Sequence, residues 1–296
     1  MKKVLKWIGI VLGSLLVLLL LAAVGLYFFG SKRLNKIYNL QVETIPIPVD
    51  ETSIARGQHL SQAITLCQEC HGDNFEGTVI DNEPSIAVIT APNLTSGVGG
   101  IAATYTDADW VRAIRYGVDP KGRGLILMHS DIYNNLTEND LGAIISFLKS
   151  VPPVDNELPE TKAEPLGQIL VALGMFDNER MPLIPAELIN REAPISRSSI
   201  RDSSADYGKY LVSITVCTMC HGEDFTGRSP LEPGSPAAPD ITTAGRLNGV
   251  SEQEFISLFR SRASQEGNYM PWDVYAKMTD EELAAIYLYL TSLNGG

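Results

Sequence analysis

One pattern constrains this chain more than any other. It occurs twice, as Cys67-Gln68-Glu69-Cys70-His71 and Cys217-Thr218-Met219-Cys220-His221, and it consumes every cysteine in the sequence. Two thiols separated by two residues can add to two vinyl groups on one edge of a porphyrin, and the adjacent histidine then offers a nitrogen to the iron. C-x-x-C-H is therefore read as the attachment site of a covalent haem c, one per copy. Two other chemistries use C-x-x-C. Paired motifs can share a zinc ion, but here they lie far apart and each carries its own histidine. A redox dithiol would need a βαβ surround, which the flanking residues do not suggest.

The segments around the motifs repeat as well. Arg56-Gly57-Gln58-His59-Leu60 parallels Tyr207-Gly208-Lys209-Tyr210-Leu211, and Ala91-Pro92-Asn93-Leu94-Thr95 parallels Ala238-Pro239-Asp240-Ile241-Thr242. Thr106-Asp107-Ala108-Asp109 and Ser251-Glu252-Gln253-Glu254 are helix N-termini. Thr137-Glu138-Asn139-Asp140 and Thr279-Asp280-Glu281-Glu282 open a last helix in each repeat, with Leu141, Ile144, Ile145 and Leu148 as the apolar stripe of the first. An internal repeat of this length means two domains, not a solenoid. The boundaries follow: 53–153 and 205–296 for the domains, 154–204 for an inter-domain strap and linker. Within 154–204, residues 166–173 and 181–185 are apolar enough to pack, with a looser stretch expected over 196–204. Ser53 to Leu66 is expected to be a helix leading into the first motif.

Ahead of the repeats, residues 7–29 carry no charge. A helix of that length spans a hydrocarbon core of about 30 Å. A cleaved signal peptide has a shorter apolar region and a small-residue cleavage site, whereas this run ends in Tyr27-Phe28-Phe29-Gly30. Residues 7–29 are thus expected to be an uncleaved transmembrane anchor, with Trp7 and Tyr27 at its ends and 30–52 as an extended tether interrupted by Pro46 and Pro48. Basic residues flank both ends, so charge does not orient the anchor. Haem c is attached outside the cytoplasm, which places residues 31–296 on the periplasmic side of the cytoplasmic membrane. The net charge of −12 argues against a nucleic-acid partner. Aromatics make up only 7% of the chain, lean for two cores unless a porphyrin fills part of each.

The other axial position decides between carrier and catalyst. Met128 precedes Leu136-Thr137-Glu138 by the same interval as Met270 precedes Met278-Thr279-Asp280. Matched methionines in two repeats point to thioether ligands for both irons, opposite His71 and His221. His129, next to Met128, is the competing ligand of the first site; His59 reads as surface or packing. Backbone carbonyls of Pro92 and Pro239 are the places where the ring N–H of each ligand histidine would be anchored. Trp110, Arg112 and Arg115 could meet haem propionates, an exposed helix face being the plainer reading.

On these motifs the chain resembles a membrane-anchored dihaem cytochrome c built from two class I cytochrome c domains. It is similar to the cytochrome subunits of membrane-bound alcohol, aldehyde and sugar-acid dehydrogenases, which usually carry three such domains. The resemblance implies an all-α fold in which the first and last helices of each domain cross beside the haem, so that Gly57 and Leu60 meet Phe147 and Leu148, and Gly208 and Leu211 meet Tyr289 and Leu290. It implies electron transfer by two covalent haems, with redox proteins as partners: a dehydrogenase subunit or quinol-oxidising complex on one side, a cytochrome or terminal oxidase on the other. The alternatives are a dihaem peroxidase, which needs an exchangeable sixth position, and a haem-based sensor or structural module without redox partners.

Overall fold

In the computed structural model, which describes residues 2–178, 180–191, 195–196, 204–230, 234–264 and 269–293, the first helix, α1, runs from Lys2 to Leu34. Its 18-residue windows reach a mean hydropathy of 2.8, and its side chains stand exposed from Lys3 to Ala22. It could cross a membrane by length and composition. The chain then leaves the helix but does not hang free. Tyr38 is buried, and its N–H donates to the Gly122 carbonyl at 2.7 Å. Ser146 donates to Pro48 O, so residues 35–50 lie along the first domain.

That domain begins with α2 (Glu51–His59), capped by the Asp50 side chain. A π-turn, Leu60–Ile64, breaks the helix expected to run unbroken to Leu66. The motif itself forms α3 (Cys67–His71). Next comes a feature that helix periodicity did not announce: strands β1 (Thr78–Glu83) and β2 (Ala87–Ala91) pair antiparallel. Val79, Ile80, Val88, Ile89 and Thr90 are β-branched, and Pro84-Ser85 turn the chain between them. The helices resume with α4 (Asp107–Tyr116), closed by a Thr106–Asp109 capping box and by Gly117 at φ +62°. A short α5 (Ser130–Tyr133) leads to α6 (Glu138–Ser150), which Pro152-Pro153 stop.

The strap adds β3 (Lys162–Ala163) to the edge of β2, and then α7 (Pro165–Ala172). Beyond it Leu183, Ile184 and Ala186 are buried against the first domain. Most of the stretch expected to be loose, 197–203, lies outside the described residues. The second domain repeats the plan with α8 (Ala205–Ile214), α9 (Cys217–His221), α10 (Glu252–Arg262), α11 (Trp272–Tyr275) and α12 (Asp280–Ser292). The architecture is mainly helical, with one small three-stranded sheet.

First and last helices cross at a glycine in both domains. A Cβ on Gly57 would lie 1.9 Å from the Ala143 carbonyl oxygen and 2.8 Å from Phe147 Cβ; on Gly208, 1.9 Å from Ala285 O and 2.9 Å from Tyr289 Cβ. Only hydrogen fits at either crossing.

The two domains meet through a buried polar cluster. Arg56 of α2 donates to Asp140 (Oδ1, 3.2 Å) and to Glu282 (Oε1, 2.9 Å). His59 lies 2.7 Å from Glu282 Oε2, so its role is an interface contact. Tyr210 of α8 returns the exchange, donating to Asp140 Oδ2 at 2.8 Å. Asp140 and Glu282 are the equivalent third residues of the two last helices, and each is engaged by the first helix of the other repeat. The pairing is a pseudo-two-fold exchange of acids. Their side chains are 1% and 5% exposed.

Candidate haem sites

In each domain the motif helix ends with a glycine in a left-handed conformation, Gly72 at φ +80° and Gly222 at φ +87°. The chain turns back through Phe75 and Phe225, both at φ +60° and both buried. Gly77 then donates to His71 O (2.7 Å) and Gly227 to His221 O (2.9 Å). A Cβ on Gly77 would sit 2.6 Å from the Pro92 carbonyl carbon, and one on Gly227 2.8 Å from that of Pro239. The Ala-Pro turn is thereby brought up against the motif. These glycines and phenylalanines escaped the motif reading, although His71-Gly72 … Phe75-Glu76-Gly77 and His221-Gly222 … Phe225-Thr226-Gly227 repeat in the sequence.

The close approach fixes the histidines. His71 Nδ1 is 2.9 Å from Pro92 O, and His221 Nδ1 is 2.9 Å from Pro239 O. A carbonyl only accepts, so Nδ1 carries the proton and Nε2 keeps a lone pair. Burial lowers both histidine pKa values, more than the carbonyl bonds raise them. The rings are neutral, oriented donors, as an iron ligand requires. Burial also pushes all four thiols up, Cys217 to about 11. These are not the activated thiolates of a redox dithiol. Among the described residues no three His, Cys, Asp or Glu side chains gather into a metal-binding group, so the two Cys pairs do not converge on one zinc ion.

The first domain encloses a cavity of about 760 Å³, whose walls include Cys67, Cys70, His71, Pro92, Met128 and Trp110. Met128 thus reaches the cavity that holds the motif; Met270, half-buried, packs against the hydrophobic core of the second domain. Leu127 takes φ +57°, and its N–H donates to Leu183 O at 3.0 Å, so the strap braces the loop that presents Met128. His129 lies on the same wall, and its burial lowers its pKa. Trp110 is 2% exposed and its Nε1 has no partner. A buried N–H without an acceptor, on a residue that lines the cavity, calls for a partner, and a propionate would supply one. Its helix neighbours behave differently. Arg112 pairs with Asp109. Arg115 is buried, contrary to the exposed-face reading, because its guanidinium caps the carbonyls of Asn134 and Leu136. The residues of the first domain therefore fit a covalent haem, with two thiols, an oriented imidazole, an apolar cavity and an unsatisfied donor, and the second domain repeats the two thiols and the oriented imidazole.

Comparison with known proteins agrees. The family model described as Cytochrome c matches residues 54–152 and again 205–294, more than half of the chain. No curated protein matches it. With the motif, the histidine anchoring and the crossed helices present in both matched segments, the chain belongs to the cytochrome c family, whose domains carry electrons on covalently bound haem.

Proposed function

We propose that this protein is a membrane-anchored dihaem electron carrier at the outer face of the cytoplasmic membrane. It relays electrons from a dehydrogenase or quinol-oxidising complex to a soluble cytochrome or a terminal oxidase. One observation supports two sites rather than one: the histidine–carbonyl pair has the same atoms and the same 2.9 Å separation in both domains. Cys67 and Cys70 hold the first porphyrin, Cys217 and Cys220 the second. His71 and His221 would each give an iron a ring nitrogen, and Met128 and Met270 would each give a thioether. When bound, haem c supplies a one-electron Fe(III)/Fe(II) couple. The chain's own residues do the rest. The cysteines would prevent loss, the carbonyls of Pro92 and Pro239 hold the imidazoles in one tautomer, and Trp110, which has no acceptor among the described residues, would donate to a haem propionate. With both a histidine and a methionine bound, an iron would have no free position for a substrate, which sets this reading apart from a peroxidase. Confinement to the membrane by α1 reduces the search for partners to a surface.

A redox titration followed in the near-infrared Met–iron charge-transfer band tests the assignment, with intact mass giving the haem count. We expect two haems per chain and a band that falls by half in Met128→Ala and again by half in Met270→Ala. The affected haem should also drop in potential, since a thioether ligand raises it. A band insensitive to Met128→Ala, with the potential of the first haem changed by His129→Ala, would transfer the first site's ligation to His129. A high-spin wild-type spectrum with peroxide turnover would defeat the carrier reading.

A further inference from the structure

The last turns of α1 are not bare. Ala23, Leu26 and Tyr27 are half-buried and Gly30 is fully buried, a stripe at helical spacing. Helix α7 packs against α1. A Cβ on Gly30 would sit 1.8 Å from the Gln168 carbonyl oxygen, so the two backbones touch there. Arg33 locks the arrangement, reaching Asp177 at 2.6 Å and Glu187 at 2.8 Å. Ala23, Leu26 and Tyr27 belong to the uncharged run of α1. The contacts set the strap at the end of that run, Gln168 against Gly30 and Val171 and Asp177 against Arg33. From Gly30 to Arg33 is roughly 5 Å of helix, which puts the strap at the membrane boundary, where apolar faces are buried about 5–10 Å deep.

The outer surface of this segment is apolar. Leu166 is 46% exposed, Leu173 56% and Met175 67%, while Phe176 lines the first cavity. Residues 165–176 contain no charged side chain. The first acid, Asp177, is turned onto Arg33. Clustered large apolar side chains of this kind mark an interaction surface, and continuity with α1 identifies what covers it.

We propose that residues 165–176 form a second membrane contact, an apolar patch embedded in the outer headgroup–acyl boundary, with the phospholipid bilayer as its occupant. This rests on the reading of α1 as an uncleaved anchor. Leu34 of α1 and Gly167, Gln168 and Val171 of the strap also line the first cavity, so the contact sets the first haem site against the membrane surface.

The test uses the full-length holoprotein in phosphatidylethanolamine–phosphatidylglycerol nanodiscs, with a genetically encoded photo-crosslinker at 173, 175 or, as an aqueous reference, 269, where Tyr269 is 64% exposed. We expect a mass shift of one phospholipid at 173 and 175 and none at 269. Equal lipid labelling at all three positions, or none at 173 and 175, overturns the proposal. So does a protein adduct in place of lipid at 173 and 175 when the experiment is repeated in native membranes. Alkaline carbonate extraction, run in parallel on those membranes, keeps the two readings apart. A chain that resists extraction but gives no lipid adduct defeats only the second contact. A chain that is extracted defeats the anchor, and the contact with it.

Discussion

Denaturant unfolding of an Arg56→Met protein is expected to show a loss of about 3–5 kcal/mol, the usual cost of breaking a buried ion pair from one side. Methionine keeps much of the apolar stem, so the loss reports the charge. The guanidinium is 12% exposed and serves two acids, Asp140 in its own domain and Glu282 in the other. Without it Asp140 loses the guanidinium, and among the described residues Glu282 is left with His59 as its cation. The acids should also leave a signature in pH. Burial opposes ionisation of Glu282, but the His59 hydrogen bond, with the charges of His59 and Arg56, outweighs it and holds the carboxyl at about 2, against 4.5 for an unperturbed group. A depressed folded-state pKa contributes stability above the unfolded value and loses it as pH falls. Wild type should thus lose about 3 kcal/mol between pH 4.5 and pH 2 from this group. The Glu282→Gln protein should lack that slope: less stable at neutral pH, and converging on wild type near pH 2. Parallel pH profiles for the two proteins would show that the interface acid is not coupled to folding.

A second large effect is expected at the helix crossings. Gly208→Ala introduces a methyl where only 1.9 Å separates it from a backbone carbonyl oxygen, with the Tyr289 Cβ at 2.9 Å. Neither neighbour can rotate away, because one is main chain and the other the root of a side chain in a packed helix. Helices α8 and α12 must part, and we expect a cost of about 3 kcal/mol, the upper end of ordinary overpacking. Gly57→Ala should cost the same against Ala143 O. Melting of the holoprotein, followed at the haem band and in the far ultraviolet, checks both. A loss under about 0.5 kcal/mol at either glycine, the level of an ordinary surface substitution, would mean that the crossing is looser than its geometry.

Much of this was legible in the residues, and the limits are physical. A covalent motif is local, so Cys67 to His71 and Cys217 to His221 could be read directly. Helix caps are local too, and Thr106, Thr137, Ser251 and Thr279 all cap the helices expected of them. The paired glycines were visible because the repeat displayed them twice. What could not be read was who faces whom. Asp140 and Glu282 stand where first-turn acids belong, and that position alone accounts for them. Their partners come from helices many residues away in sequence, beyond the reach of any periodicity. His59 was opaque for the same reason. The hairpin of β1 and β2 hid because its apolar residues do not alternate cleanly, with a register shift between Val79 and Asp81 and an acidic end to β1. Arg115 hid because a guanidinium that caps carbonyls inside a fold has the same helical phase as one that faces water.

The exchange of acids has a bearing on how the chain is made. The bond from Arg56 to Glu282 spans 226 residues of sequence, against 84 for the bond to Asp140. Closing so long a loop is slow and entropically unfavourable until local structure is in place. Each half is expected to condense first as its own bead: Asp140 has Arg56 within its own half, whereas Glu282 takes its cations, Arg56 and His59, from the other. By loop closure alone, the clasp between the beads is expected to form after the contacts within each of them.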